Sequence, residues 1–183
     1  MCIHCLSVED GAAIDSRGAP RGRWAFVRVA CAFDHAGVPL REAVLSALAD
    51  RGATALDLGD AEDYPQSARA VAFAILDGRA ERGVLVCGSG AGVAVAASKV
   101  RGIRAATVSD CYTARQSVED DDLNVLCLGA RVIGPELARE LVRTFADARF
   151  SGAERHVRRL AEVAEIERNG VDAPDTALGT PTT

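Results

Sequence analysis

Five short apolar runs, each separated from the next by a segment of helical periodicity, constrain this chain more than any other feature. The runs fall at 24–33, 54–58, 83–87, 103–108 and 124–128, and the helical segments at 40–49, 65–76, 92–99, 112–117, 135–146 and 154–168. The helix at 40–49 carries its apolar face on Leu40, Val44, Leu45 and Leu48, and the one at 65–76 opens on Pro65, a residue suited to a first helical turn. Strands that alternate with helices form parallel sheets, because each return to the same sheet edge needs a crossover. The expected architecture is α/β, with a five-stranded parallel sheet covered by helices on both faces.

The composition agrees. At 183 residues the chain can bury the core of one domain, and 49% hydrophobic residues with only 4% aromatics suit helices laid on a sheet. A formal charge of −5 with no basic stripe argues against a nucleic-acid partner. No apolar run is long enough for a bilayer, and the N-terminus lacks the charged-then-apolar pattern of a signal peptide. The expectation is a cytoplasmic protein with no membrane contact, whose six cysteines are thiols. The segment 1–23 reads as a polar, flexible arm, 24–168 as the folded domain, and 169–183 as a disordered Pro/Thr/Gly tail. Within the arm, Cys2, His4 and Cys5 form a small cluster of metal-ligand types. A zinc site needs about four ligands and no second pair follows at metal-ligand spacing, so no metal is expected.

Chemistry-bearing residues collect just after the apolar runs. They are Asp34 and His35, Gly59 and Asp60, the stretch 87–92, Ser109 and Asp110, and 129–131. Open parallel sheets bind ligands at the carboxyl ends of their strands, so these residues point to a site along one sheet edge.

The stretch "VLVCGSGAGVAVAASK" leads from strand through a glycine-rich bend into small helix formers. Gly88, Gly90 and Gly92 leave backbone N–H groups free at a helix start, where negative charge is favoured. Neither familiar phosphate motif fits: Val93 stands where the dinucleotide fingerprint needs its third glycine, and no Gly-Lys-Ser/Thr follows. A tight turn without a ligand remains the plain alternative. Cys31 and Cys127 read as small buried hydrophobes. Cys87 differs by standing at the lip of the loop, where a thiolate is favoured. A thiolate beside converging amides suits removal of a proton next to a carbonyl, with the amides holding the developing enediolate oxygen.

The segments "VACAFDHAGVPLRE", "DYPQSA", "GVLVCGSGAGVAVAASKVRGIRAA", "NVLCLGARVIG" and "ERHVRRL", in unbroken order over about 27–167, together resemble the type B ribose-5-phosphate isomerases and the related galactose-6-phosphate isomerases. The resemblance implies a three-layer α/β/α Rossmann-like fold and aldose–ketose isomerisation of phosphorylated sugars without metal or cofactor. It implies a homodimer or dimer of dimers with sites at the subunit interface. By position, Cys87 resembles the catalytic base, and Ser89 a hydroxyl that helps move the second proton. Gly88, Gly90 and Gly92 resemble the enediolate-holding loop. Asp34 and His35 resemble the pair that contacts the sugar oxygens and the phosphate or ring. Tyr64 resembles a pocket-edge residue, with core packing an equal explanation. Arg131, Arg155 and Arg159 resemble a phosphate clamp, part of it supplied by a partner subunit. Independently, Arg155 and Arg159 are four apart and share a helix face, and guanidinium forks suit phosphate.

One departure stands out. The family usually has His-Asn before "NVL", the His serving to open the furanose ring, whereas this chain reads "SVEDDDLNVL", with Asp120 and Asp121 at those positions. Crowding among Glu119, Asp120, Asp121 and Asp122 would disfavour ionisation of one of them, so Asp120 joins Cys87 and Ser89 as a candidate catalytic residue and Asp121 as a candidate substrate contact. Alternatively, a tetrose 4-phosphate cannot close a furanose ring, because its carbon-four oxygen is esterified, and needs no ring-opening acid. The sequence therefore admits a ribose 5-phosphate isomerase, an isomerase of a tetrose 4-phosphate such as erythrulose 4-phosphate, or a silent phosphosugar-binding homologue. Retention of Cys87 weighs against the last.

Overall fold

The computed structural model describes residues 27–170. The expected arm, the tail beyond 170, and the Cys2, His4 and Cys5 cluster lie outside the described residues. The chain runs β1 (Arg28–Asp34), α1 (Arg41–Ala49), β2 (Thr54–Ala61), α2 (Tyr64–Leu76), β3 (Arg82–Cys87) and α3 (Ala91–Ala97). It continues through β4 (Ala105–Thr107), α4 (Cys111–Asp121), β5 (Val125–Gly129), α5 (Pro135–Asp147) and α6 (Glu154–Asn169). All strand pairings are parallel and the sheet order is β2-β1-β3-β5-β4. This is the expected α/β fold in three layers.

Period-two alternation divides the core between the two faces of the sheet. Val29, Cys31 and Phe33 of β1 join a cluster with Val44, Leu48, Leu141 and Phe145, under α1, α4 and α5. The intervening Ala30 and Ala32 join Ala68, Val71 and Ala72 of α2 and Val93 of α3. Small strand residues let α2 come close. A methyl at Gly83 would lie 2.3 Å from Val71 Cγ1, so this glycine sets the distance between layers.

Three boundaries differ from expectation for local reasons. The run 24–33 was expected as one strand; β1 is Arg28–Asp34, and residues 24–26 lie outside the described part. The run 103–108 yields only Ala105–Thr107, because side-chain bonds occupy the residues before it. Asn124 Oδ1 accepts from the Arg104 N–H at 2.8 Å while Asn124 Nδ2 donates to the Gly102 carbonyl at 2.9 Å. The helix expected at 112–117 starts at Cys111, capped by Asp110 accepting from the Thr113 N–H at 2.8 Å, and runs on through the acidic segment to Asp121. Asp122, at φ 48°, ends it.

The sheet order reverses direction between β1 and β3, and such a switch point opens a crevice at the strands' carboxyl ends. Phe33 pairs with Val86 and Cys87 with Gly129. Asp34, Cys87 and Gly129 therefore stand in one row across three neighbouring strands.

Candidate active site

A cleft of about 350 Å³ opens at this switch point, within the size range of small-ligand sites. The end of β1 supplies Asp34, His35 and Ala36 to its wall, α2 supplies Tyr64, and the glycine loop supplies Cys87, Gly88, Ser89 and Gly92. The loop after β5 adds Arg131 and Val132.

Each is placed by a specific contact. Asp34 is 5% exposed, and its Oδ1 accepts from the N–H groups of Ala36 and Gly37, both at 2.9 Å. That folds the β1 loop back over the sheet, with Oδ2 left for the cleft. Gly37 has no room for a side chain, since a methyl there would meet the Val86 carbonyl oxygen at 2.2 Å. His35 Nδ1 lies 3.0 Å from the Glu62 carbonyl oxygen. A carbonyl only accepts, so Nδ1 carries a proton and Nε2 is the nitrogen available to a ligand. Ser67 Oγ donates to the Phe33 carbonyl at 2.7 Å and docks the start of α2 against the end of β1.

Cys87 ends β3 with 4% of its surface exposed, at the base of the cleft. Its Sγ accepts a hydrogen bond from the Gly90 N–H at 3.1 Å. Two bonds from the β5 loop hold the glycine loop against it: Ala130 N–H to the Cys87 carbonyl and Arg131 N–H to the Gly88 carbonyl, both 2.9 Å. Gly129 is what permits the approach, since a methyl there would lie 2.6 Å from the Ser89 carbonyl. Burial pushes the thiols of Cys31 and Cys127 well up from the usual range, with Asp57 adding to the effect at Cys31 and Cys87 at Cys127. Those two are core residues, as the sequence suggests.

The Arg131 side chain lies over Gly88, with Cδ and Cζ each 3.6 Å from where a methyl at 88 would stand. The Tyr64 ring likewise covers Gly92, 3.2 Å from a methyl at that position. Tyr64 is thus a cleft-wall residue, 41% exposed, not a core one.

The remaining sequence candidates lie elsewhere. Among the described residues that line the cleft, Arg131 is the only arginine; Arg155 and Arg159 are exposed on α6. Asp120 and Asp121, in the last turn of α4, also stand outside this chain's cleft. Asp120 Oδ2 accepts from Gln116 Nε2 at 2.7 Å, and Oδ1 lies 3.4 Å from His156 Nδ1. The crowding expected among the acids is relieved by cations: Glu119 pairs with Arg115 at 3.0 Å and Asp122 with Arg104 at 2.6 Å. Sequence reasoning missed Ala36 and Val132 on the wall. It also missed the contact glycine Gly37, and it placed Gly129 at the site edge without its close approach to Ser89.

The family model for Ribose/Galactose Isomerase matches residues 29–163. The chain is 37% identical over 145 residues to ribose-5-phosphate isomerase B of Escherichia coli, covering 77% of this chain and 97% of that protein. It is 44% identical over 124 residues to D-erythrulose-4-phosphate isomerase 2 of Mycolicibacterium smegmatis, covering 64% of this chain and 82% of that one. The solved structure of Clostridium thermocellum ribose-5-phosphate isomerase B superposes with a TM-score of 0.74 at 39% identity, over 78% of this chain and 98% of its own. The matched region takes in the sheet from the second residue of β1 onward and the whole cleft, and on these grounds the chain belongs to the ribose/galactose isomerase family of sugar-phosphate isomerases.

Proposed function

We propose that this protein interconverts an aldose phosphate and a ketose phosphate through an enediolate, with Cys87 as the base. The observation that carries the reading is the placement of Cys87 Sγ: buried at the floor of the cleft, held by the Gly90 amide, beside Asp34 and Ser89. The thiolate takes the proton from C2 of the open-chain aldose, and the C–H electron pair forms the C1–C2 double bond as the carbonyl oxygen becomes the enediolate oxygen. Amides of the glycine loop receive that charge. A proton passes from O2 to O1, assisted by Ser89, and the Cys87 thiol returns its proton to C1 as the carbonyl re-forms at C2. Atoms and electrons balance within the sugar. Asp34 and His35 Nε2 orient the hydroxyls and the distal end of the chain.

Arg131 alone is a thin match for a phosphate dianion. In this reading Arg155 and Arg159 complete the clamp from a second copy of the chain, in a dimer or dimer of dimers with shared sites. Guanidinium forks bind phosphate oxygens in pairs.

Family membership makes ribose 5-phosphate a natural substrate. A second reading is favoured by a specific observation: Asp120, where the family's ring-opening His is expected, accepts from Gln116 and faces His156 at 3.4 Å. A substrate that never closes a ring needs no acid there, and the Mycolicibacterium smegmatis relative is named for such a tetrose phosphate. The geometry therefore favours a tetrose 4-phosphate over a pentose 5-phosphate. Aldose–ketose interconversion across tetrose, pentose and hexose phosphates tests this. The expected order places erythrulose 4-phosphate first, and comparable turnover of ribose 5-phosphate would remove the preference.

A further inference from the structure

Helix α6 is sixteen residues long and buries one side chain, His156, which is 2% exposed. Its apolar residues Val157, Val163 and Ile166 are half exposed or more, and its main neighbour in the chain is α4. A helix that docks without a buried apolar stripe owes its rotation to whatever fixes its one buried group. His156 Nδ1 lies 2.8 Å from Ser151 Oγ and 3.4 Å from Asp120 Oδ1. The Ser151 N–H donates in turn to the Glu119 carbonyl at 2.9 Å. The entry to α6 is thus tied to the last turn of α4. At the far end, Glu167 Oε1 accepts from the Gly102 N–H at 2.9 Å. Ser151 Oγ is the hydrogen-bond partner of Nδ1, and the Asp120 carboxylate faces the same nitrogen as a negative charge at ion-pair distance, which favours a proton on Nδ1.

Arg155 adjoins His156 and Arg159 follows within one turn. Rotation of α6 about its axis displaces both guanidinium groups together. We propose that Asp120, acting through His156, is a positioning residue that fixes the rotation of α6 and with it the placement of Arg155 and Arg159 for phosphate. This rests on the clamp reading given above, and it gives Asp120 a role other than proton donor to the sugar.

The test compares Asp120→Ala, Asp120→Asn, His156→Ala, Arg155→Ala and Arg159→Ala in the full chain. Readouts are kcat and KM with the best sugar phosphate, and the Kd of inorganic phosphate by calorimetry, which needs no turnover. Asp120→Ala is expected to raise KM and the phosphate Kd together by about tenfold with kcat within about twofold. Asp120→Asn, which keeps an acceptor oxygen for Nδ1–H, recovers most of the loss. His156→Ala matches Asp120→Ala, and the double variant is no worse than either single one. A fall in kcat with KM and phosphate Kd unchanged would overturn the proposal and make Asp120 an acid acting on the sugar. If Arg155→Ala and Arg159→Ala weaken phosphate binding while Asp120→Ala does not, the positioning role alone falls. If neither arginine variant weakens it, the clamp reading falls and takes the positioning role with it.

Discussion

Gly90 donates its backbone N–H to Cys87 Sγ across 3.1 Å, from a left-handed backbone at φ 81°. The pair joins the last residue of β3 to the residue that caps α3, so one short loop both ends the strand and aims an amide at the sulfur. Any thiolate formed in turnover meets that donor without rearrangement.

Gly90→Ala is expected to damage both stability and turnover. The left-handed conformation costs a side chain roughly 1–2 kcal/mol, and the new methyl would stand 2.8 Å from Thr107 Cγ2 and 3.1 Å from the Leu128 carbonyl carbon. Urea unfolding should show a loss of about 2 kcal/mol or more, and turnover should fall because the amide no longer points at Sγ. Unchanged stability would mean that the loop absorbs the strain.

Arg131→Ala should act mainly on binding. Its side chain lies over Gly88 at the cleft wall, and a charged fork to phosphate carries more energy than a neutral hydrogen bond. KM should rise about 10- to 100-fold. Arg131→Lys should recover only part of this, because an ammonium cannot bind two oxygens in one plane. Remote binding energy also supports the chemical step, so a smaller fall in kcat is expected alongside.

Thiol labelling should rank the described cysteines by placement. Cys111 is exposed and should react first, and Cys31 and Cys127 should stay unlabelled until the chain unfolds. Labelling of Cys87, which lines the cleft, should be slowed by a saturating sugar phosphate if the proposed site is the one that binds it. Absence of that protection would place the ligand elsewhere.

Stability should fall at alkaline pH. Burial raises the pKa of Cys31 and Cys127 in the folded state above its value in the unfolded chain. Their contribution is fully present below about pH 8.5, the ordinary thiol value. It is lost as pH rises, because the unfolded chain releases protons that the folded one retains. The slope approaches about 1.4 kcal/mol per pH unit for each thiol. Urea midpoints between pH 8 and 10 check the sign, and Cys127→Ala should flatten the decline.

Most of the fold could be read from sequence because β1, β3 and β5 are apolar on both faces and announce themselves as runs. The edge strand β4 was overextended because Asn124 takes over the backbone groups of its neighbours, a tertiary effect that no periodicity encodes. The end of α4 was missed because four successive acids look like a turn; the Arg115–Glu119 and Arg104–Asp122 pairs make a helix end tolerable there. Within the site, Cys87, Ser89, Asp34 and His35 were legible because they follow strands. Gly129 and Gly37 act through what a methyl would strike, and that depends on a neighbouring strand. The Asp120–His156 contact joins residues 36 apart on two helices, and only the packed structure brings them together.

The most direct test of the role given to Cys87 is solvent deuterium uptake at the carbon beside the carbonyl, in the unaltered protein and in Cys87→Ala. The unaltered protein should exchange that hydrogen, while Cys87→Ala should lose at least about a hundredfold in exchange and turnover alike and still bind the sugar phosphate. Exchange that persists in Cys87→Ala at the unaltered rate would contradict the account, since some other group would then be taking the proton.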